Sequence, residues 1–222
     1  MDILDSGYFI QSPVLSGSEC DTLLGTLEKS MKCGRAGTRH LMSNDVVNRL
    51  AHDERLLQIA KEALGVPGVP FCATLFAKSG DANWLIPWHQ DTALPLAERL
   101  DDPEWASWSR KEAVLYAHAP EWALSRVVAL RVHVDSSTSE NDPLRVVPGS
   151  HRAGVLTDES VHDYVTNREQ LTCIAERGGI LAMRPLLIHT SSKSKSDLPR
   201  RVLHIEYSDS LDLKPGIRLA VA

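Results

Sequence analysis

A change of hydrophobic period near residue 70 restricts the fold more than any other feature of the sequence. Beyond it come short apolar runs rich in β-branched residues: FCATLFA, VVALRVHV, LRVV, ILAM, PLLIH and RVLHIEY. Clusters of Gly, Pro, Asp and Ser separate them, which is the signature of strands joined by turns. Most of these runs have no helix-length pattern between them, so an antiparallel jelly roll or barrel is expected over 70–222 rather than a parallel α/β sheet. Before residue 70 the pattern is helical. Ser16 and Glu19 fit a capping box, and Cys20, Leu23, Leu24, Leu27 and Met31 follow at helical spacing, predicting a helix over 17–32. A polar stretch over 34–44 precedes one or two short helices that end at Gly65. The reading is a single domain over 1–222, mainly β, with a helical part at 1–69 packed on the β core.

Residues 93–125 interrupt this scheme, being too long for a hairpin loop, and long loops in compact domains are usually functional. All five tryptophans (Trp84, Trp88, Trp105, Trp108 and Trp122) lie in this segment or just before it. Core packing explains any one of them. Their clustering suggests a lid over a substrate, with Trp88, Trp105 and Trp108 as its candidates and Leu94 and Leu96 giving the substrate site a partly apolar wall.

With 43% hydrophobic and 24% charged residues, the chain is neither disordered nor a coiled coil. The net charge of −5 is mixed along the chain, so no nucleic-acid footprint or polybasic membrane patch is expected. No run of apolar residues is long enough to cross a bilayer. Cys20, Cys33, Cys72 and Cys173 are widely spaced and form no C-x-x-C pair, as expected of free thiols in a cytoplasmic protein. The expected partner is a small molecule; oligomeric state is not legible.

The chemistry begins at Trp88-His89-Gln90-Asp91. On an extended backbone residues i and i+2 share a face, so His89 and Asp91 can converge on one point while Gln90 points away. Two histidines and a carboxylate on one face of an octahedral ion leave the remaining positions open, the arrangement of non-haem Fe(II) oxygenases. His189, at the end of PLLIH, is the best third ligand; His204 in RVLHIEY is its rival. An oxygenase that uses 2-oxoglutarate also needs a cation for the distal carboxylate, and arginine offers two parallel bonds to it. Arg200 lies eleven residues beyond His189 with Arg201 beside it, and strand alternation lets only one of the two point inward. Ser191 can add a hydroxyl. Lys78 and Arg131, on strand-like runs, are candidates for the metal-chelating end of 2-oxoglutarate or for an anionic substrate.

WHQD (88–91), PLRVVPGSHRAGVL (143–156), MRPLLIHTSS (183–192) and PRRVLHIEYS (199–208), with the opening GYFIQSPVLS and the FAKSGDANW run, resemble the phytanoyl-CoA dioxygenase family in its compact bacterial form. The resemblance spans most of the chain in consistent order. It implies a double-stranded β-helix, a cupin-like jelly roll, using Fe(II), 2-oxoglutarate and O2. It makes His89, Asp91 and His189 the iron ligands, Arg200 rather than Arg201 the distal-carboxylate clamp, and Ser191 its helper. The implied reaction hydroxylates a C–H bond of a small or medium-sized organic substrate and releases succinate and CO2. Asp91 argues against halogenation, which needs a small residue there. In such a barrel, Val202, His204 and Glu206 share the inward face of Arg200 unless a bulge intervenes, and His204 would then stand behind the ligands. Two alternatives are a cupin-like metal enzyme that does not use 2-oxoglutarate and a non-catalytic jelly-roll binding module.

Overall fold

The computed structural model describes residues 3–28, 37–78, 85–193, 196 and 198–222. In chain order its first elements are α1 (Ile3–Ser6), β1 (Tyr8–Gln11), α2 (Gly17–Leu27), β2 (Gly37–Thr38), α3 (Asp45–Ala51) and α4 (Glu54–Leu64). Strands β3 (Val69–Lys78), β4 (Ile86–His89), β5 (Ala93–Leu96), β6 (Ala106–Lys111) and β7 (Val114–His118) follow, then α5 (Glu121–Leu124) and β8 (Val127–His133). The chain continues through β9 (Arg145–Val146), α6 (Asp158–Thr166), β10 (Leu171–Thr172), β11 (Ile180–Met183), β12 (His189–Ser191) and β13 (Arg200–Ser208).

The helical part is set by local chemistry. The Ser16 hydroxyl accepts from the Glu19 amide and the Glu19 carboxylate accepts from the Ser16 amide, satisfying two orphan donors at the start of α2. α2 ends at Leu27; positions 29–32 of the helix expected over 17–32 lie outside the described residues, as do Cys33 and Trp84. The 45–64 stretch divides into two helices because the Asp53 side chain caps the Arg55 amide, starting α4 afresh. Gly65, at φ 81°, closes α4 in the left-handed conformation that a Cβ disfavours.

The six-stranded major sheet runs β1-β11-β8-β13-β3-β2 and the four-stranded minor sheet β10-β9-β12-β4, with every pairing antiparallel. Its two faces carry different residues. Ala73 and Leu75 of β3, Val128, Leu130 and Val132 of β8, and Leu203, Ile205 and Tyr207 of β13 pack with the helices in the largest apolar core. The opposite face meets the minor sheet through Tyr8, Ala129, Leu181 and Met183 against Val146 and Leu187. Burial on both faces explains why β8 reads as a mostly apolar run.

Residues 93–125 form a sheet rather than a loop. β5, β7 and β6 pair antiparallel, and Leu94, Leu96, Trp105 and Ala117 build a separate core with Leu213, Ile217 and Leu219.

Candidate metal centre

Across the minor sheet His89 pairs directly with His189, placing their rings 4.2 Å apart between centroids. The Asp91 carboxylate lies 3.6 Å from each imidazole Nε2, one oxygen toward each ring, and the three ligand atoms sit within 4.8 Å of one another. His89 Nδ1 lies 2.8 Å from the Pro87 carbonyl and His189 Nδ1 2.8 Å from the Leu187 carbonyl. A carbonyl can only accept, so each Nδ1 carries its proton and each Nε2 lone pair is left facing Asp91. This donor set fits a divalent transition metal. The Gln90 side chain is spent elsewhere: its amide donates to the Gly154 and Leu186 carbonyls and accepts from the Leu156 amide.

Electrostatics match this assignment. Burial pushes the His189 imidazole down to about 4, which keeps it neutral as a ligand must be. Burial would raise the Asp91 carboxyl, yet positive charge on the neighbouring imidazoles outweighs it and holds Asp91 well below the usual carboxylate range, while the same carboxylate draws His89 up; a metal cation held by neutral imidazoles would supply that charge instead.

The cavity beside these ligands measures about 390 Å³. Its floor is the inner face of the major sheet, where pairing fixes the order of side chains. Lys78 lies opposite Arg200, Phe76 opposite Val202, Thr74 opposite His204 with Arg131 beyond, and Cys72 opposite Glu206 with Ala129 beyond. Arg200, Val202, His204 and Glu206 all line the cavity, and the irregularity in pairing falls after Glu206. Arg201 faces the other way, in a two-pronged bond to Asp135 at 2.7 and 2.9 Å.

Lys78, Ser191 and Arg200 form one cluster at the first of these rows. Ser191 Oγ accepts from Arg200 Nη2 at 2.8 Å and from Lys78 Nζ at 2.9 Å. Burial pushes the Lys78 ammonium down to about 8, and the Arg200 charge adds to the effect. Arg200 is pushed down to about 10 by burial and by Arg131. Arg131 is 7% exposed; one guanidinium nitrogen donates to His204 Nδ1 at 3.3 Å, and its Nε has no partner among the described residues. His204 lines the cavity, with burial holding it neutral at about 3 and its ring edge-on to Phe76.

Trp88, Trp105 and Trp108 do not line the cavity. Trp105 is 2% exposed inside the core of the β5-β7-β6 sheet, Trp108 packs against that core, and Trp88 packs near Val147 and Ile188 with Arg145 over its ring. Leu94 and Leu96 are buried in the same separate core. The segment reaches the cavity instead through Ala93, Lys111, Tyr116 and His118, which sequence reasoning did not single out. Alternation backward from Lys78 would have found Phe76, Thr74 and Cys72.

A jelly roll presenting two histidines and a carboxylate to one side of an open cavity has the ligand set of a mononuclear non-haem iron site. The chain belongs to the phytanoyl-CoA dioxygenase family, whose pattern, described as Phytanoyl-CoA dioxygenase (PhyH), matches residues 26–202. It is 27% identical over 191 residues to L-proline trans-4-hydroxylase of Streptomyces griseoviridis, which covers 74% of this chain and 63% of that protein; the chain thus spans less than two thirds of that relative's length. Among solved structures, AviO1 from Streptomyces viridochromogenes Tue57 superposes with a TM-score of 0.68 at 20% identity, covering 99% of this chain and 95% of that one. EctD from S. alaskensis, solved with 2-oxoglutarate and 5-hydroxyectoine, gives a TM-score of 0.70 at 19% identity, covering 93% and 73%. At these identities the two structures establish the shared fold.

Proposed function

We propose that the protein is an Fe(II)- and 2-oxoglutarate-dependent dioxygenase that hydroxylates a C–H bond of a small organic molecule, releasing succinate and CO2. The observation that carries this reading is the coexistence, in one cavity, of the His89, Asp91 and His189 ligand set with the buried Arg200, Ser191 and Lys78 cluster. A metal site alone fits many hydrolases and isomerases; a second site for a carboxylate beside it fits a keto-diacid cosubstrate.

Iron with 2-oxoglutarate and O2 would supply the oxidising power for C–H cleavage. The protein's residues do the rest. His89 and His189 present Nε2 because their Nδ1 protons are tied to backbone carbonyls, and Asp91 contributes its carboxylate. Arg200 and Lys78 hold the distal carboxylate, and Ser191, already an acceptor from both, turns its hydroxyl proton toward it. Arg131 reaches the 1-carboxylate, which explains a buried guanidinium without an ion pair among the described residues. The cavity walls keep bulk water from the reacting carbon.

The hydroxylase activity named for the Streptomyces griseoviridis relative supports a small-molecule substrate. One domain over 1–222 accords with a cavity built from residues of both the β core and the 93–125 segment. Buried, unpaired Cys20, Cys72 and Cys173 support a reducing, cytoplasmic setting, and no described helix is long and apolar enough to cross a membrane. The direct test is anaerobic: Fe(II) and then 2-oxoglutarate are added to the metal-free protein, and the visible charge-transfer band of the chelate is recorded. A band lost in His189→Ala supports the reading. Confirmed metal binding with no band on adding 2-oxoglutarate refutes it in favour of a metal-dependent enzyme that does not use 2-oxoglutarate.

A further inference from the structure

The cosubstrate cluster occupies one end of the cavity floor, and Glu206 lies six positions along β13 from Arg200, about 20 Å of strand, at the other end. Among the described residues Glu206 is the one carboxylate lining the cavity besides Asp91. Its partners across the sheet are the Cys72 thiol and the Ala129 methyl, so no cation of the floor neutralises it. Burial pushes its carboxyl up to about 7.

Two cations from outside β3, β8 and β13 line the same cavity. Lys111 comes from the last position of β6 and Arg39 from the residue after β2. Neither makes an ion pair among the described residues. The Lys111 ammonium lies 4.3 Å from the centre of the Tyr116 ring, whose hydroxyl is hydrogen-bonded to His40 at 3.1 Å, so this wall is braced rather than loose. Lys111, Arg39 and Glu206 line the same cavity as Asp91, which puts this group of charges and the metal ligands in one site.

We propose that Glu206, Lys111 and Arg39 form the substrate pocket, and that it takes a small zwitterion: Glu206 receives an ammonium while Lys111 and Arg39 receive a carboxylate on the same compact skeleton. The inference rests on the oxygenase reading above and adds the chemical class of the substrate. A purely anionic ligand would add a further negative charge to a cavity that already holds Glu206 and Asp91, and a purely cationic one a further positive charge to one that holds Lys111 and Arg39, whereas a zwitterion matches both signs. Cosubstrate and substrate share about 390 Å³, which limits the substrate to a compact molecule.

Three five-membered rings test the charges one at a time: L-proline carries both groups, pyrrolidine the amine alone and tetrahydrofuran-2-carboxylate the acid alone. Each is titrated into the anaerobic Fe(II)-2-oxoglutarate protein while the visible band is followed. L-proline is expected to perturb the band and to bind at least about tenfold tighter than either single-charge ring. Glu206→Gln should erase its advantage over the acid, and Lys111→Met should reduce its advantage over the amine, with Lys111→Arg restoring it. Both variants should keep the band itself, which shows that fold and metal site are intact. Equal binding of the three rings, no binding of any, or preferences indifferent to both variants would overturn the proposal while leaving the oxygenase reading standing. Absence of the band in the unaltered protein would instead sink the oxygenase reading. The same titrations followed by ligand-detected NMR on metal-free protein then decide the pocket: proline binding that needs both Glu206 and Lys111 upholds it, and anything else removes it.

Discussion

Replacing Arg200 by Ala separates a residue that holds the cosubstrate from one that holds the fold. Its guanidinium reaches Ser191 Oγ at 2.8 Å and the Asn141 carbonyl at 3.2 Å, so it is oriented by neutral groups. Two charge-assisted bonds to a ligand carboxylate are worth about 1.5–3 kcal/mol each. Lys78, 2.9 Å from the same Ser191 hydroxyl, retains part of that attraction. The expected net loss is about 2–4 kcal/mol, or roughly 30- to 700-fold in 2-oxoglutarate affinity. Thermal melting with Mn(II) in place of iron reads this without turnover. At 100 times its dissociation constant, 2-oxoglutarate adds about 2.7 kcal/mol to the unaltered protein. For a chain of this length that is about 5–10 °C. At the same concentration Arg200→Ala should rise by less than about 3 °C. The ligand-free melt should move little, because the bonds lost to Asn141 and Ser191 are offset by relief of repulsion from Arg131. A variant that melts as the unaltered protein does and keeps the full 2-oxoglutarate shift would refute the assignment of Arg200 as the clamp.

Lys78 titrates near 8 when folded against 10.5 when unfolded, so between those values the unfolded chain holds the extra proton and ligand-free stability rises with pH through this group. Over the same range 2-oxoglutarate affinity should fall as the cation is lost, and Lys78→Met should flatten both trends in melts and titrations compared with the unaltered protein. Trp105→Ala, at a side chain that does not line the cavity, should cost about 3–5 kcal/mol by denaturant unfolding while leaving 2-oxoglutarate affinity within about threefold. The Tyr207 hydroxyl donates to the Ala51 carbonyl at 2.9 Å, tying β13 to α3; Tyr207→Phe should cost about 1 kcal/mol with no change in the metal site, checked by the anaerobic visible band.

Much of the inner face was legible because a strand has a period of two. Once Arg200 is taken as inward, Val202, His204 and Glu206 follow, and His89 implies Asp91, since neither inference needs knowledge of a distant residue. The opposite wall of the cavity depends on how β6 and β7 pair, and their turn hides from sequence reasoning. The hairpin reverses through Glu112 and Ala113, with Glu112 at φ 55° in place of the Gly or Asn that usually marks such a turn. Without that signal Lys111, Tyr116 and His118 read as part of a long loop, and the tryptophans read as its lid. The clustering of Trp105, Trp108 and Trp122 reflects a second small core, in which Trp105 and Trp122 meet edge-on at 6.1 Å between ring centres.

The two faces of the major sheet divide the energetic work. Toward the helices β3, β8 and β13 bury only apolar groups and Tyr207, a face that stabilises the fold whatever the cavity contains. Toward the minor sheet the same strands bury Lys78, Arg131 and Arg200, whose charges depress one another's protonation and whose desolvation opposes folding. A core sequence chosen for stability alone would not gather three cations there. The arrangement becomes favourable when an anion enters, and a keto-diacid carries two carboxylates where a single-charge ligand carries one. On the proposed assignment, ligand-free and ligand-bound stability are coupled through these three side chains, and the cost borne by the ligand-free fold appears as affinity for the cosubstrate.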